Sequence, residues 1–173
     1  NITTGNGNNI VIGNAAVEQA SDVDYSILIG TQAGYNSSGS AKNVAIGYYA
    51  GQNLRVAEHS VRVGYYAGRY ATGSYNTFLG SNAGLGGTTS APYSSGQRNT
   101  AMGYQALTAF TTGNNNVAIG YQAGDSVTTA GGNVLLGYAA GSSLTTSGEA
   151  VFIGEYAGER SDKGTNVLIG ARA

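Results

Sequence analysis

The residue types that carry catalysis or hold metals are scarce in this sequence. It has one histidine, His59, and no cysteine, so one chain can form neither a histidine cluster nor a thiolate metal site. Carboxylates lie close together in only two groups: Asp22 with Asp24, and Glu155 with Glu159 and Asp162. A calcium site or a glycosidase would need such groups, but we interpret them as solvated surface charge. We therefore expect no enzyme activity, no metal and no cofactor.

Tyrosine is the residue type whose spacing could support binding. It recurs directly after a repeated glycine at Tyr48, Tyr65, Tyr104, Tyr121 and Tyr138. Stacked aromatic rings can bind sugars, and they can equally cover apolar edges or fill a seam between chains. We favour the structural interpretation and keep a receptor or glycan contact as the alternative.

The segment 84–97 (GLGGTTSAPYSSGQ) is a second candidate for binding. It contains the only proline, Pro92, next to Tyr93, and it interrupts an otherwise regular pattern. Insertions in repeat proteins leave the stack as loops, and exposed loops often bind partners. A receptor or glycan contact near Pro92 and Tyr93 is the functional hypothesis, and a tolerated insertion is the simpler alternative.

Paired threonines suggest a third, different function. They stand eight and nine residues after a repeated glycine at 88–89, 111–112, 128–129 and 145–146, whereas Arg55–Val56 and Asp162–Lys163 break the row. A flat threonine ladder is typical of ice-binding solenoids, although threonine also simply favours strands. Ice binding is therefore the alternative function.

These residues are positioned by one phrase that is written ten times, as in KNVAIGYYAG and NNVAIGYQAG. Its central glycines follow one another at steps of 17, 17, 17, 16, 23, 17, 17, 17 and 16 residues: Gly13, Gly30, Gly47, Gly64, Gly80, Gly103, Gly120, Gly137, Gly154 and Gly170. A step of this length holds two short strands and two corners, which is one turn of a β-solenoid. We predict an all-β parallel solenoid (β-roll) of about ten coils, forming a single repeat domain over residues 1–173.

The columns of the repeat predict the inside of the coil. The residue before the glycine is always apolar, and we assign this column to the core: Ile12, Ile29, Ile46, Val63, Leu79, Met102, Ile119, Leu136, Ile153 and Ile169. The column one position earlier faces the other way and is also apolar except at Arg62, so we expect sister chains to cover it.

Three further columns indicate close stacking of the coils. The central glycine itself indicates a positive φ or a tight corner. Alanine stands three residues after the glycine in every copy, from Ala16 to Ala173, where a contact has room for one methyl group. Asparagine recurs four residues before the glycine, for example at Asn43 and Asn116. We expect its amides to form bonds from coil to coil.

Composition excludes some partners. The net charge of −1 provides no basic surface for nucleic acid, and no run of 18 apolar residues indicates a membrane span. The repeat starts and stops abruptly, so we expect both ends to continue into a longer fibre.

The phrases NNVAIG (115–120), KNVAIG (42–47) and TNVLIG (165–170) resemble the repeat of trimeric autotransporter adhesin heads. The longer NNVAIGYQAG with its TTG spacers is similar to repeats in bacteriophage tail fibres and related bacterial surface fibres. The resemblance implies a homotrimer on a cell surface or virion that takes part in attachment, through a cell-surface glycan or protein receptor. A polysaccharide-degrading tailspike is the distant alternative.

Overall fold

The computed structural model describes residues 7–91 and 93–173 and shows a parallel β-solenoid. Ten strands of three residues each form one sheet in chain order. They are β1 Ile10–Ile12, β2 Ile27–Ile29, β3 Val44–Ile46, β4 Val61–Val63, β5 Thr77–Leu79, β6 Thr100–Met102, β7 Val117–Ile119, β8 Val134–Leu136, β9 Val151–Ile153 and β10 Val167–Ile169. The predicted all-β solenoid is confirmed, and we number the coils 1 to 10 after their strands. Among the described residues, no helix has the length and apolar character needed to cross a membrane.

Equivalent positions of the repeat stack directly above one another. Ala118 pairs with Leu135 and Ile119 with Leu136, and the same register holds across all nine strand pairs. Successive coils are therefore spaced at about 4.8 Å. The columns that the sequence predicts are real columns of the structure.

The central glycine is required at the corner after each strand. All ten have φ between +126° and +139°, a region that residues with a side chain rarely adopt. A Cβ on Gly120 would lie 2.3 Å from the carbonyl oxygen of Gly137 in the next coil. The prediction of a tight corner with positive φ is confirmed, and the corner also lets adjacent coils approach closely.

The assignment of the core column was wrong, because the structure reverses inside and outside. The middle residue of each strand points inward, and in the eight strands β2 to β9 it is fully buried, as at Leu28, Ala118 and Phe152. The column before the glycine points outward, and its members are half-buried to exposed: Ile12, Ile29, Ile46, Val63, Leu79, Met102, Ile119, Leu136, Ile153 and Ile169. Because both faces of the strand are apolar, alternation alone does not distinguish them.

The size of the side chains explains why the inner column looks irregular. In coils 2 to 4 and 6 to 8 the inner residue has a counterpart nine residues later in the same coil, and both are buried. A large residue meets a small one at Leu28 and Ser37, at Ala45 and Leu54, at Arg62 and Ala71, and at Ala101 and Phe110. In these four coils one large and one small residue fill a thin interior together, whereas Leu135 and Leu144 in coil 8 are both large. The inner column therefore varies in size from coil to coil, while the outer column stays uniformly aliphatic.

The asparagine column forms the predicted ladder along one corner. The Asn99 Oδ1 accepts a bond from the Asn116 backbone N–H at 2.9 Å, and the Asn116 Oδ1 accepts one from Asn133 at 3.1 Å. The Asn116 amide also donates to the Ala130 carbonyl oxygen at 2.9 Å. Serine replaces asparagine at Ser60, where its Oγ accepts from the Asn76 N–H. The ladder satisfies buried polar groups from coil to coil.

Candidate functional site: tyrosines and arginines on coils 3 to 8

The tyrosines after the central glycine stack in two groups. Tyr48 and Tyr65 lie with ring centroids 5.4 Å apart and an interplanar angle of 8°. Tyr104 stacks on Tyr121 at 5.3 Å, and Tyr121 stacks on Tyr138 at 5.0 Å. All five side chains are between 42% and 48% exposed, so each ring keeps an edge in solvent. The rings are available to a ligand while they pack against each other.

The two stacks are separated by coil 5, which carries Ser81 where coils 3, 4, 6, 7 and 8 carry tyrosine. The register Leu79↔Met102 places Ser81 between Tyr65 and Tyr104 in the column. Ser81 and its neighbour Asn82 are half-buried, and the Asn82 Nδ2 lies 3.5 Å from the Ser81 Oγ. One rung of the aromatic ladder is therefore replaced by two small polar side chains.

An arginine joins the first stack to more tyrosines. The Arg69 guanidinium carbon lies 4.4 Å from the ring centroid of Tyr49, 4.5 Å from that of Tyr66 and 4.9 Å from that of Tyr70. Its Nε also donates to the Gln52 side chain at 2.7 Å. Cation–π contacts of this kind fix the arginine over the rings. Tyr66 in turn packs on Tyr65, with centroids 4.1 Å apart.

Tyr93 of the insertion belongs to the same surface. Its ring is stacked on Tyr70 with centroids 6.3 Å apart, and the Arg55 guanidinium carbon lies 5.3 Å from its centroid. The structure therefore brings together two features that are separate in the sequence. We call the surface formed by Tyr48, Tyr49, Tyr65, Tyr66, Arg69, Tyr70 and Tyr93 the aromatic–arginine patch.

The insertion that leaves the coil is shorter than the predicted 84–97. Gly84, Gly86 and Gly87 keep coil-to-coil hydrogen bonds to the backbone of coil 6, and Ser94 and Ser95 resume them. Only residues 88–93 are therefore additional to the coil. Pro92, which was predicted with Tyr93 as a contact residue, lies outside the described residues.

The phenols of Tyr48, Tyr65 and Tyr138 are harder to ionise than a free tyrosine side chain. A neighbouring hydroxyl, Tyr49 for Tyr48 and Tyr66 for Tyr65, is the main cause that raises the pKa of each phenol, and partial desolvation adds to it. The pKa of Tyr138 is raised chiefly by Tyr156 in the same way. The first stack therefore combines phenols of raised pKa with the neighbouring positive charge of Arg69.

The threonine row is shorter than predicted. Thr111, Thr128 and Thr145 stack in consecutive coils, and the hydroxyls of Thr111 and Thr128 donate to the next carbonyl oxygen at 3.2 Å. Thr88 is not part of this row, because the insertion moves Ser94 and Ser95 into those positions. Three rungs remain, with the second threonine of each pair exposed.

The residues that sequence analysis set aside stay apart in the structure. His59 stacks on Tyr75 with centroids 5.4 Å apart and lies 3.7 Å from the Glu58 carboxylate. Asp22, Glu155, Glu159 and Asp162 are exposed, and Asp24 is half-buried. In residues 7–91 and 93–173, no group of three or more histidine and acidic side chains is close enough to hold a metal ion. A surface depression at the last coil, lined in part by Arg160, Asp162 and Lys163, contains none of the predicted contact residues.

Comparison with known proteins assigns no family to this chain. Searches against protein-family models, curated proteins and solved structures found no match. The resemblance to adhesin heads and tail fibres, and the roles it implies, therefore remain expectations.

Four residues were not predicted from the sequence. Arg69 and Tyr70 belong to the aromatic–arginine patch, and Ser81 and Asn82 lie between the two tyrosine stacks. Ser81 carried a detectable signal, because it departs from tyrosine in a column where both flanking coils have it. Arg69 and Tyr70 lie outside the repeated phrase, and no periodicity marks them. Their importance follows from the stacking register, which only the structure provides.

Proposed function

We propose that this chain is a structural and adhesive segment of an extracellular or virion fibre, and that it assembles as a homotrimer. The observation that supports the proposal best is the outward face of the ten strands. This face consists of two aliphatic columns that run along the whole solenoid. The proposal involves no catalytic step.

The outward strand face is long, flat and uncharged. Its twenty residues are Ile, Val, Leu or Met apart from Thr77 and Thr100. Exposure reaches 58% at Ile12 in coil 1 and is still 38% at Ile119 in the middle of the solenoid. Water-facing aliphatic residues in such numbers mark an interaction surface.

The size of the face suits an interface between chains. Ten rungs at about 4.8 Å give a height of about 43 Å, and three residues at about 3.3 Å give a width of about 10 Å. The area is then about 400 Å², within the range of the largest apolar patches on monomers, which are often functional. A specific interface buries about 800 Å² on each partner, so residues beside the strands must contribute as well.

A further copy of the same chain is the partner that fits this face best. The face repeats at every coil, so a second solenoid lying parallel to it presents the same repeat along the full length. A closed cyclic arrangement buries the face on every copy and leaves no open interface to polymerise. The adhesin-head resemblance favours three copies.

The adhesive role is proposed from the aromatic–arginine patch. It adjoins the insertion, which is the place where the chain leaves its regular coil. Aromatic rings with exposed edges and a fixed arginine are typical of recognition surfaces. The rest of the rod would then act as a spacer that presents this patch.

The mass of the particle in solution tests the assembly. Light scattering on the purified chain is expected to give about three times the 17.4 kDa of one chain. Ile119→Lys places a charge on the outward face and should shift the mass toward one chain in a dilution series. Val56→Lys is the matched control, because Val56 is 69% exposed but lies outside the strands, so its mass should not change. A single-chain mass for the unmodified protein would refute the assembly.

Ice binding remains the second candidate, because Thr112, Thr129 and Thr146 form a short exposed row. Three rungs make a small surface compared with the aliphatic face. Thermal hysteresis in a nanolitre osmometer tests it, and we expect none. Hysteresis that is lost in Thr129→Lys would favour ice binding over the fibre role.

A further inference from the structure

The missing rung between the two tyrosine stacks has walls and a floor. Tyr65 forms one wall and Tyr104 the other, and Ser81 with Asn82 forms the floor. Asn82 has a φ of 57°, like the tyrosines and glutamines at the same position in other coils. The backbone is therefore continuous with the regular coil, and only the side chains differ. We call this gap the tyrosine slot.

The width of the slot matches one inserted ring. Neighbouring tyrosines in each stack are 5.0 to 5.4 Å apart, which is one coil spacing. Tyr65 and Tyr104 are separated by two coils, or about 10 Å. A ring placed midway would lie about 5 Å from each tyrosine, within the range of 4.5 to 7 Å in which stacked rings attract. The place that a tyrosine side chain would occupy is thus left for a ligand.

The chemistry of the slot selects the kind of ring. Its two walls are the aromatic rings of Tyr65 and Tyr104. Its floor offers a hydroxyl from Ser81 and a carboxamide from Asn82, which can donate and accept hydrogen bonds. A pyranose has an apolar C–H face on each side and hydroxyl groups around its edge. A pyranose can therefore stack on both tyrosine rings and hydrogen-bond to Ser81 and Asn82 at the same time, whereas a purely apolar ring can only stack.

We propose that the tyrosine slot binds one pyranose ring of a glycan, sandwiched between Tyr65 and Tyr104 with its hydroxyl edge on Ser81 and Asn82. This proposal rests on the adhesive part of the proposed function and supplies its ligand class. Arg69 lies near the Tyr65 wall through Tyr66, so further units of a glycan chain can extend onto the aromatic–arginine patch.

The decisive variant fills the slot with the residue that the repeat normally has there. Ser81→Tyr completes the aromatic ladder and should leave the melting temperature equal to or above that of the parent chain, as followed by circular dichroism. Thr31→Tyr is the matched control, because Thr31 holds the same column position in coil 2 and its replacement extends a stack without closing a gap. Tyr104→Ala removes a wall, and Tyr138→Ala removes a ring at the far end of the same stack.

Saturation-transfer NMR measures the binding. The probes are the methyl pyranosides of glucose, galactose and mannose, together with N-acetylglucosamine, each at millimolar concentration. We expect transfer to the ring C–H protons of at least one probe. The affinity for that probe should fall by about tenfold or more in Ser81→Tyr and Tyr104→Ala, a difference of about 1.4 kcal/mol. Thr31→Tyr and Tyr138→Ala should bind as the parent does.

The outcomes of these experiments distinguish sugar binding at the tyrosine slot from the assembly of chains into a fibre. The absence of transfer from every probe, or equal transfer in Ser81→Tyr, would overturn the proposal. A loss of particle mass in Ser81→Tyr but not in Thr31→Tyr would also overturn it, because the slot would then hold a side chain of a sister chain. Sugar binding by a single-chain particle would support the slot while refuting the trimer.

Discussion

The buried arginine of coil 4 provides the sharpest test of the interior. Arg62 occupies the inward position of β4 and is 0% exposed. One terminal nitrogen donates to the carbonyl oxygens of Ala71 and Gly73 at 3.3 Å, whereas Nε and Nη1 have no hydrogen-bond partner among the described residues. No buried carboxylate faces it, since Arg62 is the only charged side chain in the described interior. We predict that Arg62→Met stabilises the protein at neutral pH.

The magnitude follows from the desolvation of the guanidinium. Burial lowers the pKa of Arg62 from its ordinary range to about 9. A difference of between three and four pKa units corresponds to about 5 kcal/mol against the charged form. Loss of the two carbonyl contacts offsets about 1 to 3 kcal/mol of this. The expected net gain is about 2 to 4 kcal/mol, which matches the usual effect of replacing buried charged groups by apolar ones of similar volume.

The gain in free energy of unfolding of Arg62→Met over the parent should decrease as the pH rises above about 9. Above about pH 9 the folded chain releases a proton at Arg62 that the unfolded chain still binds. The free energy of unfolding of the parent therefore rises with pH above this value, by about 1.4 kcal/mol per pH unit. The advantage of Arg62→Met is complete below pH 9 and should be smaller by about 2 kcal/mol at pH 10.5. Groups that titrate equally in both proteins cancel in the difference.

Thermal unfolding at pH 7 and pH 10.5 measures both effects. A gain of about 3 kcal/mol should raise the melting temperature by about 6 to 12 °C for a chain of this size. Leu28→Met is the matched control at the same column position in coil 2, and its small, pH-independent effect should stay below about 1.5 kcal/mol. A destabilised Arg62→Met at pH 7 would refute the reasoning, because the arginine would then be better satisfied than these contacts indicate.

Three further predictions concern the coil itself. Gly120→Ala should destabilise by more than about 3 kcal/mol in chemical unfolding, because the Cβ would lie 2.3 Å from a carbonyl oxygen of the next coil, whereas Gly39→Ala has nothing within 4 Å and should cost only about 1 kcal/mol. Equal effects would contradict the close stacking. Asn116→Ala should cost about 2 to 4 kcal/mol through lost ladder bonds, and Asn166→Ala at the exposed end of the same column should cost under about 1 kcal/mol. Deletion of 88–93 should keep the melting temperature within a few degrees, since residues on both sides keep the coil hydrogen bonds; loss of folding would show that the insertion is structural.

Much of the fold could be predicted from the sequence because a repeat constrains itself. A column that keeps one residue type in all or most coils has one environment, so the glycine corner and the asparagine ladder could be interpreted without coordinates. The face of each strand that points into the coil could not be predicted in this way. Ile119 and Ala118 are both apolar. The column of Ile119 has larger and more uniform aliphatic side chains, so it was predicted to form the core. Only the structure shows that the buried side of the strand packs against residues nine positions later, as Ala101 does with Phe110 and Ala45 with Leu54.

The site was predicted in part. The exposed tyrosines and Tyr93 were named from their spacing, but nothing in the spacing indicates that Tyr93 stacks on Tyr70. That contact depends on how the insertion folds back, which involves tertiary packing and not periodicity. Ser81 was visible as a departure from the column, yet its meaning depends on the distance between the rings on either side.

The departures from the repeat concentrate where a functional site is expected. A rod of identical coils presents the same surface at every level, so it can recognise a partner at one place only where a coil differs. Coils 4 and 5 differ most: Arg62 lies inside, Ser81 opens the aromatic ladder outside, and the step from Gly80 to Gly103 carries the insertion. The buried arginine, which we predict to lower stability, lies at the level where the surface is most irregular. Selection for stability alone would have removed it, so the combination favours a functional region held in a rigid, repetitive frame.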